Sequence, residues 1–141
     1  MMPEVVQRHL QIKSDVRNLK IVREFVAKAV ADSALKNSEA NKVILAVDES
    51  VANIVRHAYK NRENGRIDIE ILADEEKFQV IISDRGEQKF KLEEIKDINI
   101  QDHVRLGKRS GMGIFLTRKA MDEVVYKADH VNTLTLVKYI H

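Results

Sequence analysis

Apolar residues recur at steps of three and four from Lys42 to Asn61. Ile44, Val47, Val51, Ile54, Val55 and Ala58 make one stripe, so the spacing predicts an amphipathic helix. Its polar residues follow a second rhythm. Glu49, Asn53 and His57 stand at i, i+4 and i+8, and each four-residue step turns the helix by roughly 40°, so they are expected in a row over about 12 Å. That row is expected well away from the apolar stripe, where it presents a carboxylate, a carboxamide and an imidazole to a single ligand. The plain alternative is a solvated helix face.

Around this helix the period changes twice. Pro3 to Ile12 alternates, with Val6, Arg8, Leu10 and Ile12 on one side, and is predicted to open the chain as a strand. Ser14 or Asp15 is placed to cap a first helix, whose Val16, Leu19, Val22, Phe25, Val26 and Ala29 keep helical spacing to about Ala34, with its end near Lys36. Asn37 and Ser38 serve as turn and cap before the Glu49 helix, and Asn61 to Gly65 stops it. From Arg66 the period is two. Ile67, Ile69 and Ile71, a turn at Ala73 to Glu76, then Phe78, Val80 and Ile82 predict an antiparallel hairpin with one buried face.

The second of these strands runs into Asp84-Arg85-Gly86 and then a polar stretch, Glu87 to Arg109, of no clear period. A segment of that kind in a small domain reads as a binding loop or lid. Ser110-Gly111-Met112-Gly113 then opens an apolar helix through Ile114, Phe115, Leu116, Ala120 and Met121 to about Asp122. Val124 to Lys127 and Leu134 to Ile140 read as closing strands around a turn at Ala128 to Asn132. About five strands and three helices predict an α+β fold. The expected form is a two-layer sandwich whose mixed, mostly antiparallel sheet is covered on one face.

Composition narrows the function classes. The 141 residues suit a single domain spanning 1–141, and 44% hydrophobic with 33% charged residues marks a globular chain. With 24 basic against 22 acidic residues the net charge is only +2, which leaves no electrostatic footprint for nucleic acid. The absence of cysteine excludes disulfides, thiolate metal sites and cysteine nucleophiles. No signal-peptide core and no membrane-length apolar run are present, so the expected address is cytoplasmic. The five histidines lack metal-ligand spacing, and no P-loop motif occurs.

Three features converge in order along the chain: the Glu49/Asn53/His57 row, Asp84-x-Gly86 at a strand end, and Gly111-x-Gly113 at a helix start. Glycines at a helix N-terminus let backbone N–H groups approach an anion such as phosphate. A carboxylate at a strand terminus accepts from an exocyclic amine such as that of adenine. Arg105, Lys108 and Arg109 precede the glycines and suit a triphosphate. Singly, each feature has an ordinary structural reading as a turn, tight packing or a solvated loop.

Together, ESVANIVRHAY, ISDRGEQKF and RSGMGIFLTRKAMDEV resemble the N box and two glycine boxes of the GHKL superfamily of ATP-binding domains. The chain is most similar to its anti-sigma-factor serine/threonine kinases of the RsbW type, and the closing NTLTL resembles the strand that ends their nucleotide pocket. The resemblance covers essentially the whole chain. Gln88 stands where the fuller first glycine box has its second glycine, and Asn132 where a glycine commonly precedes the last strand's threonine.

This resemblance implies a histidine-kinase-like ATPase fold that binds ATP and Mg²⁺. It implies Asn53 at the metal, Asp84 on adenine, Thr133 supporting Asp84 at the same polar corner, and Gly86 making room for the base. Ser110, Gly111, Met112 and Gly113, with Arg105, Lys108 and Arg109, would line the phosphates, His57 would lie further along the pocket wall, and Glu49 would be the general base. The implied partners are a small anti-sigma-factor antagonist as substrate and a sigma factor, with a homodimer expected through the first strand and helix one, where Ile21 and Val30 lie off the apolar stripe. A nucleotide-binding module that sequesters a partner without phosphoryl transfer is the alternative.

Overall fold

The computed structural model describes residues 5–86 and 120–140. Within them two-residue alternation builds a five-stranded sheet: β1 (Val6–Lys13), β2 (Arg66–Ala73), β3 (Lys77–Asp84), β4 (Glu123–Ala128) and β5 (Asn132–Tyr139). Its order is β1-β2-β3-β5-β4, and all four pairings are antiparallel. Ile67, Ile69, Ile71, Phe78, Val80, Ile82, Leu134 and Leu136 share the covered face and are buried. The helices α1 (Leu19–Ala31) and α2 (Asn37–Asn53) supply Val22, Val26, Val43, Val47 and Val51 to the same core. The two-layer α+β architecture is the one expected, although the expected third helix falls mostly outside the described residues.

Local polar chemistry sets the ends of α1. Asp15 accepts from the Arg17 backbone N–H at 2.8 Å and caps a 3₁₀ turn, Val16–Asn18, that leaves Val16 exposed instead of on the core stripe. At the other end Ser33 Oγ donates to the Val30 carbonyl at 2.8 Å while accepting from Leu35 N–H at 3.2 Å. The hydroxyl competes for backbone partners, so the helix stops at Ala31 and not near Lys36. Ser14, the other cap candidate, is fully buried and stitches the end of β1 to the loop before β2. Its N–H donates to the Gly65 carbonyl at 2.8 Å, its Oγ accepts from Gly65 N–H at 2.9 Å, and the same hydroxyl donates to the Arg62 carbonyl.

Candidate functional site

Beyond Asn53 the second helix widens. Ile54–Ala58 form a π turn, closed by Tyr59 N–H on the Ile54 carbonyl at 3.0 Å. Such single wide turns recur at functional sites, because the extra residue re-aims the side chains on either side of it. The chain then leaves through Lys60 and Asn61, both at positive φ (52° and 63°), which places the stop one residue earlier than the predicted Asn61 to Gly65.

This end of the helix is largely buried. Ser50 through Val55 are all buried, and Asn53, at 1% exposed, is no solvated residue, while Glu49 and His57 on either side of it are half-buried. Ser50 satisfies itself, its Oγ donating to the Ala46 carbonyl at 2.7 Å. Asn53 does not: its amide nitrogen is buried without a partner, and so is Nε2 of the half-buried His57. A buried polar group left unpaired costs about 1–3 kcal/mol, so a folded chain keeps one where a ligand completes it. Glu49, one turn before, is half-buried and makes no ion pair among the described residues.

The end of β3 is seated on the same turn. Gly86 lies against Ala58, and a β-carbon there would meet the Ala58 backbone carbonyl at 2.6 Å, so only glycine fits without displacement. Tyr59 locks the junction: its hydroxyl accepts from Arg85 N–H at 2.8 Å and donates to the Arg66 carbonyl at 2.6 Å. Burial raises the pKa of this phenol, and the nearby Asp84 charge adds to the shift. Gly86 thus has a packing reason of its own, beside the room for a base that the resemblance implies.

Asp84 is 3% exposed, and burial raises its pKa against the opposing pull of two hydrogen bonds. Its Oδ1 accepts from Gly86 N–H at 2.8 Å and from Asn132 Nδ2 at 3.0 Å. Oδ2 has no hydrogen-bond partner among the described residues. Asn132 stands directly across the ladder from Asp84, whereas Thr133 stands across from Ser83, on the face away from the helices. The expected support of Asp84 by Thr133 is therefore corrected: strand alternation turns Thr133 away, and Asn132 makes the contact. Asn132 was visible in the sequence only as a stand-in for glycine. The signal that finds it is the register between β3 and β5, which a pattern of single strands does not contain.

The donor set fits magnesium in one respect. An amide oxygen such as that of Asn53 is a hard ligand, and Mg²⁺ commonly takes one or two protein oxygens while phosphates and water supply the rest. Among the described residues no group of three histidines or acids is placed to hold a metal alone. Arg105, Lys108, Arg109, Ser110, Gly111, Met112 and Gly113, and the whole expected lid from Gln88 to Arg109, lie outside the described residues.

With this geometry in place, comparison with known proteins defines the class. The histidine kinase-like ATPase domain family matches residues 12–138, and the chain belongs to that family. Among its curated relatives are several proteins named serine-protein kinase RsbW. One, from Listeria monocytogenes, is 35% identical over 101 residues, which are 69% of this chain and 64% of that protein. Another, from Staphylococcus epidermidis, is 38% identical over 102 residues, 68% of this chain and 63% of that protein. A Staphylococcus aureus protein of the same name matches more extensively, 29% identical over 93% of this chain and 85% of its own length. The chain thus spans slightly under two thirds of the first relatives it matches. A solved structure of RsbU and RsbW domains from Mycobacterium tuberculosis superposes with a TM-score of 0.64 over 94% of this chain and 32% of that one, at 16% identity, which speaks for the fold.

Proposed function

We propose that this chain is an ATP- and Mg²⁺-dependent serine/threonine protein kinase that acts as an anti-sigma factor and phosphorylates a small antagonist protein. The relatives' shared name, serine-protein kinase, supports the reaction class. The observation that carries the reading is the buried Asn53, whose amide nitrogen has no partner, on the helix end to which the Asp84–Gly86 strand end is fastened. One side chain has a polar atom open to a ligand, and the other is a buried carboxylate whose Oδ2 has no partner among the described residues.

In this reading Asp84 Oδ2 accepts from the exocyclic amine of adenine and Asn53 Oδ1 holds the metal. Bound Mg²⁺ neutralises charge on the triphosphate. Glu49 takes the proton of the substrate hydroxyl as that oxygen bonds to the γ-phosphorus, the bond to the β,γ-bridging oxygen breaks, and ADP leaves. His57, with its free Nε2, stands one turn beyond Asn53 and suits a phosphate oxygen or the water around it. The resemblance assigns the phosphates to the glycine and basic groups from Arg105 to Gly113, which lie outside the described residues.

The same reading places the protein in the cytoplasm as a homodimer bound in turn by a sigma factor and the antagonist. Among the described residues no helix is long and apolar enough to cross a membrane. Ile21 is 47% exposed on α1 beside a groove that Leu10 and Phe25 also line, which supports association there; Val30, the other off-stripe residue, is buried in the core. The deciding experiment incubates the purified protein with labelled ATP, Mg²⁺ and a candidate small antagonist protein from the same source. Label on a serine or threonine of the antagonist is the expected result. Bound ATP with no transfer to any such protein would leave sequestration as the whole function.

A further inference from the structure

The amide of Asn132 has only one chemically sensible orientation. Nδ2 lies 3.0 Å from Asp84 Oδ1 and 3.0 Å from the Gly86 carbonyl, two acceptors, so the nitrogen and not the oxygen must face them. Oδ1 is then turned elsewhere, and it is buried with no donor. Asn132 itself is 2% exposed. One side chain thereby fixes the carboxylate's rotamer, helps hold the Gly86 corner and keeps a spare buried acceptor beside them. An apolar residue of this size would fill the space without any of these effects.

Resting on the nucleotide reading above, we propose that Asn132 is a positioning residue that sets base selectivity. It fixes the Asp84 carboxylate through Oδ1 and leaves Oδ2 without a partner among the described residues, so that the site takes a 6-aminopurine and rejects a 6-oxopurine. An ionised carboxylate only accepts, which suits the 6-amino group and repels an O6 acceptor; a protonated one donates, and the preference weakens or reverses. Hydrogen bonds from Asn132 and Gly86 oppose the burial that pushes this carboxyl toward its neutral form. Tyr59 from the helix end is the other described titratable group bearing on it, while β2 and β5 place uncharged Ile67 and Asn132 across from it.

The test measures ADP and IDP dissociation constants by calorimetry between pH 5 and 8, for the wild type, Asn132→Leu and Asn132→Asp. Diphosphates avoid phosphoryl transfer. Wild type should prefer ADP, with affinity falling as pH drops through the Asp84 titration. Asn132→Leu removes the donor and Asn132→Asp sets a second carboxylate against Asp84, so in both the acid limb should move to higher pH. ADP affinity near neutrality should fall about 10-fold or more, and the ADP-to-IDP ratio should shrink. A merely structural role would weaken both nucleotides alike at every pH. Should Asn132→Leu fail to fold, the isosteric Asn132→Asp gives the same readout. Wild-type preference with both variants unchanged in limb and ratio overturns this inference and leaves nucleotide binding standing, whereas a wild type that binds neither nucleotide overturns both.

Discussion

A β-carbon on Gly86 would stand 2.4 Å from the β-carbon of Ala58, so the strand end bearing Asp84 rests directly on the turn that follows Asn53. The two halves of the candidate site are in this way fastened to each other by a contact that tolerates no added atom. Gly86→Ala should therefore destabilise the fold by about 1–3 kcal/mol, the usual cost of overpacking, because the neighbouring atoms include backbone. Urea denaturation reads this as a lower midpoint at unchanged slope. Nucleotide affinity should fall as well, since Gly86 N–H also holds Asp84 Oδ1.

Asp84→Asn should separate stability from binding. Burial raises the carboxyl's pKa above its ordinary 3.8, so the folded chain holds the proton more tightly than the unfolded one. The stability from this group is then fully present below the unfolded value and is lost as pH rises through the raised native one. At pH 7 the variant avoids burying that charge and should melt higher, by about 3 °C for each kcal/mol regained in a chain of this size. ATP affinity should nevertheless drop sharply, because a carboxamide offers the adenine amine mixed donor and acceptor character. Scanning calorimetry and titration calorimetry on one preparation check both halves; unchanged ATP affinity would remove Asp84 from the site.

Asn53→Ala removes a buried amide whose nitrogen has no partner, so its cost to folding should be small for so buried a position. Its cost to function should be large and specific. Mg²⁺ should no longer strengthen nucleotide binding, as measured by titrating ATP with and without the ion. A variant whose Mg²⁺ dependence equals that of the wild type would relieve Asn53 of the metal role.

Glu49→Gln keeps the size and place of the side chain and removes its proton affinity. ATP and antagonist binding should change little, while phosphoryl transfer at saturating ATP falls by about 10² or more. Transfer at the wild-type rate would return Glu49 to an ordinary half-buried helix residue.

The elements were legible where one period dominates a stretch. Ile67 to Ile71 and Phe78 to Ile82 alternate cleanly and form the hairpin as expected, and the α1 stripe from Leu19 to Ala29 sits in the core. What a single-strand pattern lacks is the identity of neighbours. Ser33 ended α1 early through a hydroxyl bond that no periodicity encodes. The burial of Asn53 depends on elements far away in sequence, so a helical wheel could not tell a solvated residue from a buried one. Likewise Asn132 and Thr133 are adjacent letters, and only the pairing of Asp84 with Asn132 decides which reaches the carboxylate. The π turn left no trace in the apolar spacing, since Ile54, Val55 and Ala58 fit a regular helix equally well.

The stitch between Ser14 and Gly65 also sets a clock on how the protein can be made. Its two ends lie 51 residues apart, and β1, which leads into Ser14, pairs with β2 alone among the described strands. Synthesis at about 5–20 residues per second leaves that first strand waiting roughly 3 to 10 s for its partner to be made. Through that interval its unpaired edge is open to other nascent chains, and the local β2–β3 hairpin can close only afterwards to receive it. The polar residues Arg8, His9, Gln11 and Lys13 along β1 are suited to the delay, since charges on an unpaired strand discourage pairing with strangers until the right neighbour exists.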